Sequence, residues 1–204
     1  MRIALIRHGP TAWNAEGRIQ GKRDVPLSDE GRKLFAMLLP PAGFEHARAF
    51  VSPLGRARET ASLLGIANPS IDERLAEHDW GQWEGLTREE ILARDGKDAF
   101  VRAGSGIDFT PKRGERTADL IARVRAFLMD VAHGAGDAVA VTHRGILRSA
   151  YAIATGWEML TPMPDALDLT KALILSLDGK GQTAIAALNV PLVFRFSSRT
   201  DPSS

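Results

Sequence analysis

The stretch IALIRHGPTAWN, residues 3–14, places an apolar run directly before a group of polar residues. Ile3–Ile6 is typical of a short buried strand, and Arg7 and His8 follow at the point where that strand must end. Open α/β sheets bind their ligands at the carboxyl ends of their strands. The stretch therefore predicts the first strand of an α/β sheet with a binding or catalytic site at its end.

The length and composition of the chain are those of an ordinary globular protein. Its 204 residues suffice for one sizeable domain with a full core and are marginal for two. Hydrophobic residues at 44% and charged residues at 25% argue against a disordered or fibrous chain. We therefore expect a single domain over residues 1–196 and a disordered polar tail over residues 197–204.

Charge and cysteine content argue against several classes of function. The 26 Lys and Arg residues nearly balance the 25 Asp and Glu residues, so the net charge of +1 gives no general attraction for nucleic acid or anionic lipid. The absence of cysteine excludes disulfides, thiolate catalysis and thiolate zinc sites. No apolar run approaches the roughly 20 residues of a membrane span. We expect a cytoplasmic protein with no nucleic-acid or membrane partner.

Short apolar runs alternate with helical patterns along the chain, which predicts a layered α/β fold with a mostly parallel sheet. After the first strand, further strands are predicted at residues 47–52, 69–75 and 138–143. Helices are predicted after the N-caps Ser28 and Thr87, and over residues 54–66, 116–133 and 144–156. Residues 170–189 predict an antiparallel hairpin at the sheet edge, which offers a pairing surface for a homodimer.

Two segments lack a regular pattern and are expected to be loops. The first runs from the end of the first strand to about residue 27, and the second covers residues 95–113. Loops of this length inside a compact domain are commonly functional. The second segment is therefore expected to act as a lid or to contact the variable part of a substrate.

Two predicted strands are each followed by a histidine, His8 after residues 3–6 and His143 after residues 138–141. A single histidine at a strand end is more often a structural residue than a catalytic one. In a parallel sheet, however, both strands end at the same edge, so the two imidazoles can meet although 135 positions separate them. This pairing favours a functional site.

Arginines accompany both histidines and the second strand. Arg7 precedes His8, Arg56 opens the helix after the second strand, and Asn14 lies in the first loop. The guanidinium group offers a planar set of donors that suits phosphate oxygens, and a helix N-terminus adds backbone donors. The cluster predicts a site for a phosphate dianion. Arg58 has the same local setting as Arg56, and spacing alone does not choose between them.

These motifs resemble the histidine phosphatase superfamily, which includes the cofactor-dependent phosphoglycerate mutases. The segment RHGPTAWN looks like the Arg-His-Gly signature of that family. Four further motifs follow in the family's order, at residues 17–32, 52–61, 75–85 and 141–148. The resemblance spans most of the chain and implies a three-layer α/β/α, phosphoglycerate mutase-like fold with an antiparallel edge strand.

The resemblance also implies roles for individual residues. His8 would be the nucleophile that becomes phosphohistidine, and Glu77 would be the acid–base carboxylate. The groups that would hold the transferred phosphoryl are Arg7, Arg56, His143 and Asn14. Arg56 is preferred to Arg58 because the family's arginine directly precedes an alanine. Further candidates for substrate or phosphate binding are Thr11, Gln20, Gly21 and Arg144.

Some residues depart from the family pattern or receive structural interpretations. Pro10 stands where the family usually has a polar or acidic residue, and Arg144 stands where glycine is common. Arg144 would either add charge for an acidic substrate or point to solvent. His46, His78 and His133 are interpreted as structural, and Trp80 and Trp83 as loop anchors.

A metal site is an alternative use of the same side chains. Four side chains are of types that bind metal ions: His8, His143, Asp24 and Glu77. No HxH or HExxH spacing accompanies them, however, and the adjacent arginines would repel a cation. We expect neither a metal nor another cofactor.

Three functions remain open at this point. The first is a metal-independent phosphatase that acts on small phosphomonoesters through phospho-His8. The second is a phosphoglycerate mutase dependent on 2,3-bisphosphoglycerate, which is disfavoured because residues 86–141 are short and only modestly basic. The third is an inactive binder of phosphorylated ligands, which is disfavoured because all the expected catalytic residues are present.

Overall fold

The computed structural model describes residues 1–99 and 106–195. The predicted disordered tail, residues 197–204, lies outside the described residues, and so does the stretch 100–105 within the expected lid segment. The prediction of one domain over residues 1–196 stays a prediction. No helix in the described part of the chain is both long and apolar enough to span a membrane.

The fold is built on a six-stranded sheet in the order β4-β3-β5-β1-β6-β7. In chain order the strands are β1 (Arg2–Arg7), β2 (Leu38–Leu39), β3 (Arg48–Val51), β4 (Ser70–Ile71), β5 (Ala138–Thr142), β6 (Ala172–Leu177), β7 (Thr183–Val190) and β8 (Val193–Phe194). The pairs β1–β5, β3–β5 and β3–β4 are parallel, whereas β6 pairs antiparallel with both β1 and β7. The predicted mostly parallel sheet with an antiparallel edge is confirmed. The antiparallel part comprises two strands, and β7 is the edge.

Six α-helices accompany the sheet: α1 (Ala12–Ala15), α2 (Asp29–Ala36), α3 (Gly55–Leu63), α4 (Arg88–Asp95), α5 (Thr117–Ala132) and α6 (Arg144–Thr155). This count refers to residues 1–99 and 106–195. The predicted caps are present: the Ser28 side chain accepts from the Gly31 N–H, and Thr87 forms a capping box with Glu90. Each cap satisfies backbone donors that the first helical turn leaves free.

Two hydrophobic clusters cover the two faces of the sheet. Along β1, Ile3 and Leu5 belong to the cluster that includes residues of α5 and α6. Ala4 and Ile6 belong to the cluster that includes residues of α2 and α3. Successive side chains of a strand point to opposite faces, so a strand that is buried on both faces requires a layer of helices on each. The predicted three-layer α/β/α arrangement is therefore confirmed.

The structure differs from the sequence-based prediction in three places. Helix α1 lies within the expected first loop, and the third predicted strand shortens to β4 followed by a 3-10 helix at Glu73–Leu75. Strands β2 and β8 form a separate two-stranded sheet that the sequence did not suggest. These elements are two to four residues long, and periodicity is not detectable over so few positions.

Candidate active site

The parallel pairing of β1 with β5 brings two histidines together at the carboxyl edge of the sheet. Arg7 is in register with Thr142, and the His8 N–H donates to the Thr142 carbonyl at 2.8 Å. The two strands therefore end side by side. The ring centroids of His8 and His143 are 5.1 Å apart, and both side chains are buried. The predicted meeting of the two imidazoles is confirmed.

The backbone defines the tautomer of His8. Its Nδ1 lies 2.7 Å from the carbonyl oxygen of Gly9, an atom that can only accept, so Nδ1 carries the proton. Burial, together with the charges of Arg56 and Arg7, lowers the pKa of His8 to about 3 against the opposing Gly9 hydrogen bond. His8 is therefore neutral near neutral pH, and its Nε2 has a free lone pair.

His143 occupies the N-cap position of α6 and is fully buried. Its Nε2 lies 2.7 Å from the hydroxyl of Ser52, which in turn accepts from the Leu54 N–H at 3.3 Å. Burial lowers the pKa of His143, and the neighbouring His8 and Arg56 lower it in the same direction. The imidazole is therefore neutral, and the Ser52 hydroxyl is its hydrogen-bond partner at Nε2. Sequence reasoning did not identify Ser52.

Arg56 is buried and held by backbone carbonyls. Its guanidinium donates to the carbonyls of Arg23 at 2.8 Å and Gly21 at 2.7 Å, and it lies 3.6 Å from the Asp24 carboxylate. Burial lowers the pKa of Arg56, although nearby carboxylates oppose the effect. Arg58 is exposed. The structure thus places Arg56 rather than Arg58 in the interior next to His8, in agreement with the family-based choice.

Several buried nitrogen atoms of the site lack a partner among the described residues. They are Arg7 Nε, Gln20 Nε2, Arg56 Nε and His143 Nδ1. Unpaired buried donors are costly and rare in folded proteins. A tetrahedral anion with several acceptor oxygens would satisfy donors of this kind, whereas a cation would not. The donor set fits a phosphoryl group.

Glu77 is held by two backbone N–H groups, one of them in the first turn of α6. Its Oε1 accepts from the N–H groups of His78 at 2.8 Å and Gly145 at 3.0 Å, and the side chain is 6% exposed. A Cβ atom added to Gly145 would collide with the Glu77 carboxylate, so the close approach requires glycine at this position. The N–H of Gly145, in the first turn of α6, is thus directed at the Glu77 carboxylate.

A cavity of about 410 Å³ opens next to His8. Its lining includes six of the predicted site residues: Arg7, His8, Asn14, Gln20, Glu77 and Arg144. The polar lining and the buried nucleophile candidate make this cavity the candidate active site.

Two other predicted binding residues have structural contacts instead. Thr11 is buried as the N-cap of α1, where it forms a capping box with Asn14. The Gly21 carbonyl accepts a hydrogen bond from the Arg56 guanidinium, and a Cβ atom at Gly21 would collide with the Glu84 carboxylate. Neither residue is among those that line the 410 Å³ cavity. Substrate contact by Thr11 and Gly21 stays a prediction.

Sequence reasoning missed three large side chains of the cavity wall: Arg18, Trp80 and Arg148. Trp80 packs against Trp83 with ring centroids 6.2 Å apart, as expected of a loop anchor, but it also faces the cavity. Arg148 follows Arg144 by four positions on a helix that begins at the site. This i, i+4 spacing is a signal that could have identified Arg148.

Metal ligands were the alternative interpretation of the acidic and histidine side chains. Within residues 1–99 and 106–195, no group of three or more His, Asp or Glu side chains is arranged to hold a metal ion. The absence of a metal from the reaction stays a prediction.

Fold and site together define an α/β enzyme with a histidine–arginine centre at the carboxyl edge of its sheet. The model of the histidine phosphatase superfamily, branch 1, matches residues 3–190, and the chain belongs to this superfamily.

Relatives in this superfamily include both phosphatases and mutases. The chain is 30% identical over 167 residues to phosphoserine phosphatase 1 of Hydrogenobacter thermophilus, with 78% of each chain covered. It is also 30% identical over 215 residues to the 2,3-bisphosphoglycerate-dependent phosphoglycerate mutase of Methylobacterium sp. (strain 4-46), with 99% of this chain and 94% of the relative covered. Among solved structures, a mycobacterial glucosyl-3-phosphoglycerate phosphatase superposes with a TM-score of 0.78 at 26% identity, covering 93% of this chain and 98% of that one.

Proposed function

We propose that the protein is a metal-independent phosphomonoesterase that hydrolyses small phosphorylated metabolites through a phosphohistidine on His8. The observation that supports this most directly is the tautomer of His8, whose Nδ1 is bound to the Gly9 carbonyl and whose Nε2 lone pair is free. A neutral imidazole with a free lone pair is a competent nucleophile toward phosphorus.

The first step transfers the phosphoryl group to the enzyme. His8 Nε2 forms a bond to phosphorus while the bond between phosphorus and the leaving oxygen breaks in line. Protonated Glu77 donates its proton to the leaving alkoxide, so the alcohol departs neutral. Arg7, Arg56 and His143 hold the equatorial oxygens, where positioning and charge neutralisation supply most of the rate in phosphoryl transfer.

The second step returns the enzyme to its starting state. Glu77, now a carboxylate, accepts a proton from the attacking water as the oxygen bonds to phosphorus. The bond between nitrogen and phosphorus breaks, and the electron pair returns to His8 Nε2. Inorganic phosphate leaves. One carboxyl group therefore serves as acid and then as base, and no metal or other cofactor is needed for the proton balance.

A phosphoglycerate mutase is the second candidate. The supporting observation is the mutase of Methylobacterium, which is aligned over 99% of this chain. In that reaction the phosphohistidine would return its phosphoryl group to a second oxygen of phosphoglycerate rather than to water, with 2,3-bisphosphoglycerate as cofactor. The short and modestly basic segment 86–141 favours hydrolysis instead.

The decisive experiment is a phosphate-release assay in EDTA with p-nitrophenyl phosphate and with 3-phosphoglycerate. We expect release by the wild type that persists in EDTA and falls by roughly 10³-fold or more in His8→Ala. His46→Ala, a change at an exposed histidine, is the matched control and should retain full activity. Hydrolysis that needs added metal, or that survives in His8→Ala, would contradict the proposal.

A second assay distinguishes the mutase. Conversion of 3-phosphoglycerate to 2-phosphoglycerate is followed with and without 2,3-bisphosphoglycerate. Conversion that depends on the bisphosphate and exceeds phosphate release would establish the mutase. The absence of both conversion and phosphate release would favour the inactive binder.

A further inference from the structure

We propose that Arg144 and Arg148 form a second anion-binding site next to the transferred phosphoryl group. This site takes a carboxylate or a second phosphate on the leaving group of the substrate. The inference rests on the proposed phosphomonoesterase function and specifies its substrate class: phosphomonoesters that carry a further anionic group.

The two arginines share the wall of two cavities. They lie one turn apart on α6, and both line the 410 Å³ cavity that contains Arg7 and His8. Both also line an adjoining cavity of about 290 Å³. A substrate whose phosphoryl group lies over His8 therefore reaches the arginine pair with its leaving group.

The charges of the cavity wall are unbalanced at this pair. Arg18, which lines the same cavity, has its charge paired with Glu16 at 2.7 Å and Glu90 at 3.0 Å. Arg144 and Arg148 have no carboxylate within 4.0 Å in the part of the chain that the structure describes. Two adjacent guanidinium groups without a counterion repel each other, and a bound anion would relieve that repulsion.

The surroundings of Arg148 keep its donors available. Its guanidinium carbon lies 5.3 Å from the centroid of the Trp157 ring, a cation–π contact that needs no hydrogen bond from the group. Burial lowers the pKa of Arg148, and the charge of Arg144 adds to the effect, although Glu77 opposes it. The acid of the adjoining cavity, Asp165, accepts instead from the Tyr151 hydroxyl at 2.6 Å. The guanidinium groups of Arg144 and Arg148 are therefore available to an anion that enters the cavity from solution.

The experiment compares two pairs of ligands by calorimetry in the His8→Ala protein, which consumes none of them. Glycerol 3-phosphate and 3-phosphoglycerate differ by a carboxylate, whereas fructose 6-phosphate and fructose 1,6-bisphosphate differ by a second phosphate. Each titration is repeated with Arg144→Gln, Arg148→Gln and the double substitution added. Arg125→Gln, at an exposed arginine of α5, is the matched control.

We expect the doubly anionic member of at least one pair to bind roughly tenfold more tightly, since hydrogen bonds to charged groups contribute about that much. The pair that shows the preference identifies the group as carboxylate or phosphate. The preference should fall to within about twofold in the double variant and persist in Arg125→Gln. No preference in either pair, or a preference that survives the double substitution, would overturn the proposal. Binding needs no turnover, so the two proposals can fail separately. If the binding preference is intact but the wild-type protein hydrolyses no phosphomonoester, only the phosphomonoesterase proposal is refuted.

Discussion

The Nδ1 atom of His8 lies 2.7 Å from the carbonyl oxygen of Gly9, and this contact decides which ring nitrogen reacts. We therefore expect the phosphoenzyme to bear its phosphoryl group on Nε2. The intermediate can be trapped by denaturation at alkaline pH shortly after mixing with substrate. Phosphorus NMR of the labelled protein would show the Nε2 isomer, and acid would release the phosphate. A phosphoryl group on Nδ1, or an acid-stable phosphoester, would contradict the assignment.

The low pKa of His8 predicts how stability depends on pH. Folding lowers that pKa from 6.5 to about 3, so between these values the unfolded chain binds a proton that the folded chain does not. The free energy of unfolding must therefore fall as pH falls through this window. At pH 4.5 the His8 contribution is at most about 2.7 kcal/mol, from two pH units at 1.36 kcal/mol each.

Urea unfolding of the wild type and of His8→Gln at pH 7.5 and 4.5, in phosphate-free buffer, measures this contribution. The variant should lose less stability than the wild type between the two pH values. Burial lowers the pKa of His143 in both proteins, so the difference reports His8 together with its coupling to His143. Equal losses in the two proteins would show that His8 keeps an ordinary pKa.

Gly145 donates its N–H to the Glu77 carboxylate at 3.0 Å. In Gly145→Ala the new Cβ would collide with Oε1, so we expect the carboxylate to shift and kcat to fall by roughly tenfold to a hundredfold. The loss should be larger for an alkyl phosphate, which needs a proton on its leaving group, than for p-nitrophenyl phosphate. Gly179→Ala, at a site with open space and no positive φ, is the control and should leave both rates unchanged.

Arg123, on α5, contacts the backbone of the segment that carries Glu77. Its guanidinium donates to the carbonyls of Arg74 at 2.6 Å and Glu77 at 3.2 Å, and it pairs with the Glu115 carboxylate at 2.7 Å. Burial acts to raise the pKa of Glu115, but the hydrogen bond and charge of Arg123, with smaller effects of the Asp79 N–H and of His78, together hold the net pKa below its usual range. Arg123 is therefore a positioning residue for the segment that presents Glu77.

Substitution of Arg123 by Gln tests this role. We expect the free energy of unfolding to fall by roughly 2 kcal/mol, because a largely buried carboxylate loses its partner. We also expect kcat to fall while KM for p-nitrophenyl phosphate changes little. Arg116→Gln, which breaks the exposed ion pair with Asp108, should cost less than about 1 kcal/mol and leave kcat unchanged. Equal effects of the two substitutions would show that Arg123 does not position Glu77.

Thr11 distinguishes a structural contact from a substrate contact. As the N-cap of α1 its hydroxyl accepts from the Asn14 N–H, so Thr11→Ala should lower the free energy of unfolding by about 1 kcal/mol. Thr11→Ser retains the hydroxyl and should restore most of the loss. If KM rises in Thr11→Ala at unchanged stability, the sequence-based prediction of substrate binding would be supported instead.

The prediction from sequence was most accurate where an apolar strand pattern is followed directly by a polar residue of the site. The apolar run of β1 and that of β5 are each followed by a histidine, and parallel pairing of the two strands makes their ends coincide. Short elements escaped prediction because pairing across the chain creates them. Strand β2, for example, exists through contact with β8, more than 150 positions away.

The sequence by itself determined the fold class, the superfamily and the candidate nucleophile, because strand ends, glycine and charge recur in a recognisable order. Only the tertiary structure decided which atoms of those residues are free. It bound Nδ1 of His8 to a carbonyl, buried Thr11 in a helix cap, and turned Arg148 into the cavity. The physical reason is that hydrogen-bond partners and burial depend on residues far apart in the chain, which spacing along the sequence does not record.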